Sequence, residues 1–268
     1  MSQTGSNPSA APSGDGFVDR TVCYIDLLGF SNAVILKSKS GVEIQELAAL
    51  LLEVEELVVG YQNASLTFQT LSDSIFISAK NDSIHNITTL IHCCQDLYRF
   101  FLIRGFLVRG GVSSGQCMLS QRIVLGEPVV RAVKLESQVA EFPRIVLGRR
   151  TVDVLHGGGV SDFVKKNVVR SDDGPYWIDP FVNFLDLLVQ SDTAWKQGSK
   201  SQRVSQRRSD FIKQANSISD FLMSNMYELQ EDRKSFSYYY WLFKEYRKRL
   251  QEVQSHVGSD LKVPTMTV

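Results

Sequence analysis

The strongest constraint on the fold is a continuous apolar run over residues 21–28, in which Asp26 is the only charged residue. A run of this length and composition predicts a strand that is buried on both faces. Gly29 breaks the strand, and Ser31 or Asn32 can cap the helix that follows. The turn therefore places an acid beside backbone N–H groups and a helix N-terminus, which are suited to binding phosphate.

Beyond this strand the apolar pattern alternates between helical and strand periods. In chain order it predicts a helix (42–59), two strands around a tight turn (65–70 and 74–78), a helix (83–103), a strand (106–112) with a hairpin partner (117–125), a helix (127–140) and a strand (144–147). The order β-α-β-β-α-β, followed by another helix and strand, is that of an α+β protein with a ferredoxin-like sheet. After Gly148 the pattern weakens to one strand (176–180) and long polar helices between 205 and 256.

We expect the chain to have three parts. Residues 1–18 are rich in Ser, Gly, Pro and Ala and predict a disordered leader. We expect residues 19–178 to form the main domain and residues 179–268 to form a mainly helical C-terminal extension. An aromatic cluster at 236–243 in this extension is interpreted as a helix-packing core or a subunit contact rather than a platform for stacked bases.

Charge and cysteine content exclude several classes of function. Lys plus Arg and Asp plus Glu number 29 each, so the formal net charge is zero, which argues against a nucleic-acid or membrane-surface binder. The four cysteines form no C-x-x-C pair and lack histidines at metal-ligand spacing, so we expect buried, reduced thiols and no zinc site. With no secretory signal and no span-length apolar run, we expect a soluble cytoplasmic protein.

Two acids are candidates for a metal site. Asp73 stands at the tip of the predicted hairpin, and in a ferredoxin-like sheet this hairpin is a neighbour of the first strand, so Asp26 and Asp73 can converge. Two acids beside an anion-binding turn suit Mg²⁺ or Mn²⁺ bound together with substrate phosphates. Taken singly, each aspartate could instead be a capping or turn residue.

Two further segments supply cations. Arg109 precedes two glycines in a strand, and glycine there permits another backbone to approach closely. Arg131 and Lys134 lie three apart on one helical face, where a cation could meet charge that develops on a phosphoryl group. In the alternative interpretation, Arg109 is a salt-bridged strand residue and Arg131 a solvated helix charge.

Together these segments resemble the class III nucleotidyl cyclases, the adenylate and guanylate cyclase superfamily. The resemblance covers about residues 20–150, and its blocks are Asp-Leu-Leu-Gly-Phe (26–30), the acid of the hairpin (73), Arg-Gly-Gly-Val (109–112) and the helix start (126–137). It implies a cyclase domain over 19–178 that works as a head-to-tail homodimer with sites at the interface.

The resemblance also implies roles for single residues. Two divalent ions, Mn²⁺ or Mg²⁺, would be held by Asp26, Asp73 and the carbonyl group of Leu27, and the backbone of Gly29 and Phe30 would cradle the phosphates. Lys134, with Arg131, would stabilise the transition state from the other subunit.

The departures from the family pattern concern the base. The transition-state Asn and Arg of the family fall on Val130 and Lys134, while its purine-selecting Asp and Lys fall on Ile123 and Thr67. A sequence that keeps the two metal-binding acids but lacks the purine-reading groups resembles the pyrimidine cyclases of bacterial anti-phage (Pycsar) signalling. That resemblance implies conversion of UTP to cyclic UMP, or of CTP to cyclic CMP, and a separate effector that reads the product.

Thr67, Gln69 and Arg109 are then the candidates for contacting the substrate, with the first two directed at the base. Thr67 and Gln69 could instead merely face solvent. Two other classes of function stay open: a catalytically silent cyclase-homology module that binds nucleotide as a sensor, and a dimerisation platform for the C-terminal helices.

Overall fold

The computed structural model describes residues 17–37, 41–62, 66–71, 73–119, 124–198 and 201–265. The strands are β1 (Val18–Leu28), β2 (Leu66–Leu71), β3 (Ser74–Ala79), β4 (Leu107–Leu119), β5 (Val124–Gly126), β6 (Ile145–Leu147), β7 (Val168–Arg170) and β8 (Tyr176–Ile178). The helices are α1 (Phe30–Lys37), α2 (Gly41–Gln62), α3 (Ile84–Ile103), α4 (Glu127–Gln138), α5 (Arg149–Gly157), α6 (Ser161–Asn167), α7 (Val182–Lys196), α8 (Gln202–Glu228) and α9 (Arg233–Val257).

One sheet runs through the molecule in the order β2-β3-β1-β4-β6-β8-β7, with β5 paired to β4 as a hairpin. Strand β1 is antiparallel to β3 and β4, and β2 is antiparallel to β3. These directions and this order are those of a ferredoxin-like sheet, so the predicted α+β class and β-α-β-β-α-β order are confirmed. Strand β6 extends the sheet parallel to β4 after the α4 crossover.

The central strand is buried less evenly than its sequence predicts. Residues 20–23 are buried on both faces, but from Tyr24 onward buried and half-buried residues alternate. Cys23, Ile25 and Leu27 belong to the face covered by helices, whereas Tyr24 and Asp26 lie on the other face. The prediction of a strand buried on both faces is therefore wrong for residues 24–28, because this end of the sheet keeps one face partly open.

Helix α3 covers the closed face of the sheet. It begins after Ser83, whose hydroxyl group accepts a hydrogen bond from the amide of Asn86, as expected of an N-cap. The thiols of Cys94 in α3 and Cys23 in β1 lie 3.5 Å apart in the core. All four cysteines are buried and unpaired in disulfides, as predicted.

The C-terminal helices pack into the same hydrophobic core as the sheet. Trp241 of α9 stacks on Phe142, with ring centroids 5.3 Å apart, and lies 5.2 Å from the ring of Trp177 in β8. Leu242 and Phe243 are also buried, so the helix-packing interpretation of the aromatic cluster is confirmed. The predicted division between 178 and 179 stays a prediction, since one apolar cluster joins residues on both sides of it.

Part of the predicted leader, residues 1–16, lies outside the described residues, as does Ile123. Val18, the last residue of that leader, is already the first residue of β1. Within the described ranges, no helix combines the length and the apolar character that a membrane crossing needs.

Candidate functional site

Asp26 lies close to the end of β1, on the partly open face of the sheet. Directly opposite it are Ser74 in β3 and Arg109 in β4. Residues opposite each other in neighbouring strands share a face, so Arg109 and Asp26 lie side by side. The expectation that the first strand and the hairpin are neighbours is confirmed.

Asp73 occupies the turn between β2 and β3, beside the end of β1. Its carbonyl oxygen accepts a hydrogen bond of 3.3 Å from the amide of Leu27. Its carboxylate accepts a hydrogen bond of 2.5 Å from the hydroxyl group of Ser31, in the first turn of α1. The hairpin is thus tied to both the strand and the helix that flank Gly29, and Asp73 is held next to Asp26.

The surroundings of Asp26 disfavour its charged form. Burial raises the pKa of this carboxyl group to about 6, the negative charges of Glu136 and Asp73 add to the rise, and Arg109 opposes it. Three carboxylates thus surround one guanidinium group at this end of the sheet. The local excess of negative charge would be relieved by a cation.

Glu136 is a site residue that sequence reasoning did not single out. It is 5% exposed, although it lies in an amphipathic helix, and its carboxylate binds the guanidinium group of Arg109 at 2.5 Å. Arg109 therefore has an ion-pair partner, as the salt-bridge interpretation expected, and its contact with substrate stays a prediction. The sequence could have indicated Glu136 through its position near the end of the segment 126–137, which carries Arg131 and Lys134.

The two glycines after Arg109 allow close approach on both sides: Gly111 lets α4 lie directly on β4, and Gly110 lies against the backbone of β1. A Cβ atom at Gly111 would come within 2.6 Å of the Cβ of Leu135, and one at Gly110 within 2.7 Å of the carbonyl oxygen of Tyr24. The predicted close backbone approach is confirmed, and helix α4 is the element that approaches. This contact brings Glu136 against Arg109 and Asp26.

The turn after β1 has the conformation that its glycine predicts. Gly29 has a φ of +81°, which glycine adopts readily, and α1 starts at the next residue. Phe30 is buried and anchors the helix against Phe106, with ring centroids 5.6 Å apart. The turn is in place beside Asp26, while phosphate binding by the backbone of Gly29 and Phe30 stays a prediction.

Thr67 and Gln69 lie in β2, at the edge of the sheet. Gln69 is opposite Phe76, which is in turn opposite Tyr24, so these three residues form a row on the face that carries Asp26. The rings of Tyr24 and Phe76 are 4.9 Å apart, and the Tyr24 hydroxyl group lies 2.8 Å from that of Ser74. Sequence reasoning missed this aromatic pair.

Thr67 is exposed, and its hydroxyl group donates a 3.3 Å hydrogen bond to the carbonyl oxygen of Ser78. Its position in β2 puts it on the same face as Gln69, two residues away. The contact of either residue with a base stays a prediction.

Lys134 and Arg131 line a groove between α4 and the start of α5. Arg131 pairs with Glu127 at 2.5 Å. Lys134 is exposed and lies two residues before the buried Glu136, so the two side chains leave opposite sides of the helix. The fold therefore does not bring Lys134 to the Asp26 of its own chain.

The donor set of the acidic cluster fits a metal ion that is shared with a substrate. Among the described residues, no group of three or more His, Cys, Asp or Glu side chains is arranged to hold a metal ion. Asp26 and Asp73 supply two carboxylates, and Glu136 is engaged by Arg109. Mg²⁺ is commonly bound by one or two carboxylates together with substrate phosphates, which matches this pair.

Comparison with known proteins gave structural likenesses only. No protein-family model matches the chain, and no curated protein matches it. One similar solved structure is the adenylyl cyclase CyaB from P. aeruginosa, with 14% identity and a TM-score of 0.47 over 61% of this chain and 95% of that one. A second is the guanylyl cyclase Cya2, with 14% identity and a TM-score of 0.42 over 62% of this chain and 93% of that one. A third is a class III adenylyl cyclase-like ATP-binding protein from Pseudomonas aeruginosa, with 13% identity and a TM-score of 0.43 over 55% of this chain and 36% of that one.

Proposed function

We propose that this chain is a nucleotidyl cyclase that converts UTP to 3′,5′-cyclic UMP and pyrophosphate, with CTP as the alternative substrate. The observation that carries the proposal is the acidic end of β1. There a half-buried acid with a pKa of about 6 lies against a second acid, beside the N-terminus of α1. Such a cluster attracts divalent cations and the phosphates that accompany them.

Asp26, Asp73 and the carbonyl group of Leu27 would hold two divalent ions, Mg²⁺ or Mn²⁺. The ions would lower the pKa of the ribose 3′-hydroxyl group and neutralise charge on the triphosphate. The exposed turn at Gly29 and the first turn of α1 offer backbone N–H groups to the terminal phosphates.

The reaction is an in-line displacement within one nucleotide. The 3′-oxygen would lose its proton to solvent water and form a bond to the α-phosphorus, while the bond from that phosphorus to the bridging oxygen of the β-phosphate breaks and pyrophosphate leaves. Lys134, with Arg131, would meet the charge that develops on the α-phosphate. Because Lys134 faces away from the acids of its own chain, we assign this role to Lys134 of a second copy in a head-to-tail homodimer.

Recognition of a pyrimidine base is assigned to the row at the edge of the sheet. Gln69 and Thr67 can both donate and accept hydrogen bonds, and Gln69 lies beside the aromatic pair of Tyr24 and Phe76. Thr67 replaces the purine-reading lysine of the family pattern. We propose further that the enzyme works in the cytoplasm and that its product activates a separate effector in anti-phage defence.

The test is incubation of purified protein with each of the four nucleoside triphosphates and Mn²⁺, followed by mass spectrometry of the products. We expect cyclic UMP from the wild type and none from Asp73→Ala. Asp162→Ala, which removes an exposed aspartate from α6, is the matched control and should keep full activity. Cyclic CMP in place of cyclic UMP would assign the alternative substrate, and equal activity of Asp73→Ala and the wild type would contradict the proposal.

A second candidate is a nucleotide sensor without turnover. It is favoured by Val130, an apolar residue that is 55% exposed at the position of the transition-state Asn. Saturable binding of a nucleoside triphosphate with no cyclic product in the same assay would identify the sensor. Absence of both binding and turnover would leave the dimerisation platform.

A further inference from the structure

The groove between α4 and α5 is strongly cationic, although the whole chain carries no net charge. It has a volume of about 200 Å³, and within the part of the chain that the structure describes no Asp or Glu lines it. The charged residues on its walls are Arg131, Lys134, Arg149 and Arg150. A groove whose lining carries four cations favours an anion as its ligand.

Two of these cations, Lys134 and Arg149, have weaker pairing than the others or none among the described residues. Arg131 and Arg150 are already paired, with Glu127 at 2.5 Å and with Asp19 at 2.9 Å. Lys134 has no carboxylate partner among the described residues. The side chain of Arg149 is 95% exposed, and its nearest carboxylate, on the next turn of α5, is 3.8 Å away.

The start of α5 adds backbone donors to the same groove. Its N-cap is Gly148, which has no side chain to accept a hydrogen bond from the first turn. The first N–H groups of a helix have no acceptor within the helix, and the helix dipole makes this end positive. An anion in the groove would satisfy them.

A buried hydroxyl group points to a ligand independently of the helix. Ser113 is 2% exposed and lines the groove, with its hydroxyl oxygen beside Gly148. This hydroxyl group has no hydrogen-bond partner among the described residues. The next hydroxyl group along β4, that of Ser114, is by contrast bonded to Thr21 and Thr151. The hydroxyl group of Ser113 therefore has a donor that is open to the groove, where a ligand can supply an acceptor.

We infer that this groove binds the phosphate groups of a nucleoside triphosphate, and that Ser113 and Arg149 are binding residues for them in addition to Lys134. The inference rests on the proposed function for the identity of the ligand. In a head-to-tail homodimer, this groove would supply cations to the triphosphate whose metal ions are held by Asp26 and Asp73 of the other copy. A guanidinium group and a hydroxyl group can each donate hydrogen bonds to phosphate oxygens.

The experiment measures binding of inorganic triphosphate to the full-length protein by calorimetry, in EDTA, so that metal-dependent contacts at the acids do not contribute. We expect saturable binding to the wild type, about tenfold weaker binding to Arg149→Ala, and a smaller loss in Ser113→Ala. Arg233→Ala is the matched control, because Arg233 is an exposed arginine at the start of α9. It should bind as tightly as the wild type. Arg149→Lys, which keeps the charge, should recover part of the affinity.

Equal affinities of Arg149→Ala and Arg233→Ala would overturn the inference. Competition by UTP tests whether the ligand is the triphosphate of a nucleotide, and bound inorganic triphosphate that UTP does not displace would also overturn the inference.

The proposed function is judged separately by product formation. If the wild type makes cyclic nucleotide while Arg149→Ala binds triphosphate normally, only this inference fails. If Arg149→Ala loses triphosphate binding in a protein that makes no cyclic nucleotide, only the proposed function fails.

Discussion

Asp26 is a half-buried acid whose surroundings resist its ionisation. Burial, Glu136 and Asp73 all raise its pKa, and the result, about 6, is far above the ordinary 3.8. Between these two values the folded chain binds a proton that the unfolded chain does not. Stability therefore falls as the pH rises through this window, and the penalty is fully present above pH 6.

A divalent cation should remove this penalty and compete with the proton. We predict that Mn²⁺ raises the melting temperature of the wild type more at about pH 7.5 than at about pH 5, where Asp26 is protonated. At a hundredfold excess over Kd, the gain would be about 2.7 kcal/mol. Thermal unfolding with and without Mn²⁺ at the two pH values measures it.

Asp26→Asn tests whether that response belongs to this carboxylate. At neutral pH the variant should be more stable than the wild type without metal, because it carries no buried charge, and it should lose the Mn²⁺ response. Asp162→Asn, the exposed control, should keep that response. An unchanged Mn²⁺ response in Asp26→Asn would show that the ion binds elsewhere.

The proximity of the two acids could be predicted from sequence, and the contacts of their neighbours only in part. Asp26 and Asp73 follow strand and turn signals that are local, and the sheet order then brings them together. The pairing of Arg109 with Glu136 depends on how α4 docks on β4, and the contact of Ser31 with Asp73 depends on the turn at Gly29. Neither depends on a local pattern, so neither was predicted.

At the scale of elements, the contact between α4 and β4 positions Glu136 against Arg109. Gly111→Ala would push a methyl group into the backbone of Ala132 and the side chain of Leu135. Overpacking of this kind typically costs about 1–3 kcal/mol, and a clash with backbone belongs at the upper end. We predict a loss of about 3 kcal/mol in the free energy of unfolding, measured with urea.

Gly60→Ala is the control for this substitution. Gly60 lies in α2 with no atom within 4 Å of an added Cβ, so alanine there should stabilise the chain by about 0.5–1 kcal/mol. Equal effects of the two substitutions would show that α4 does not lie on β4 at Gly111.

The elements with long, periodic patterns were predictable and the short ones were not. The predicted helices at 42–59 and 83–103 match α2 and α3 to within a few residues. The strand at 106–112 and the first arm of its hairpin prove to be one strand, β4. The pattern missed α5, α6, β7 and α7, because the first three are short and α7 mixes apolar and polar residues without one clear stripe.

At the scale of the whole molecule, the C-terminal helices pack into the same hydrophobic core as the sheet. Trp241 fills the space between Phe142 and Trp177. We predict that Trp241→Ala lowers the free energy of unfolding by about 3–5 kcal/mol, because it leaves a cavity. Tyr227→Ala, at a side chain that is 77% exposed, should change it by less than about 0.5 kcal/mol. A small effect at Trp241 would favour an independent C-terminal domain.

In the proposed head-to-tail homodimer, the site is shared between two chains, because Lys134 lies on the side of α4 opposite Glu136. Asp73→Ala and Lys134→Ala should each be inactive alone, since one lacks the acid and the other the cation. After subunit exchange, an equal mixture should regain about a quarter of wild-type activity, because half of the dimers hold one intact site of two. A mixture that stays inactive would place both groups in the site of a single chain.

The most direct test of the central claim is a mass balance on UTP with Mn²⁺. We predict that the wild type produces cyclic UMP and pyrophosphate in equal amounts as UTP disappears, that Asp26→Asn produces neither, and that Asp162→Asn behaves as the wild type. Cyclic product from Asp26→Asn at the wild-type rate, or UTP consumed to UDP and phosphate instead, would contradict the assignment of a cyclase built on the two aspartates.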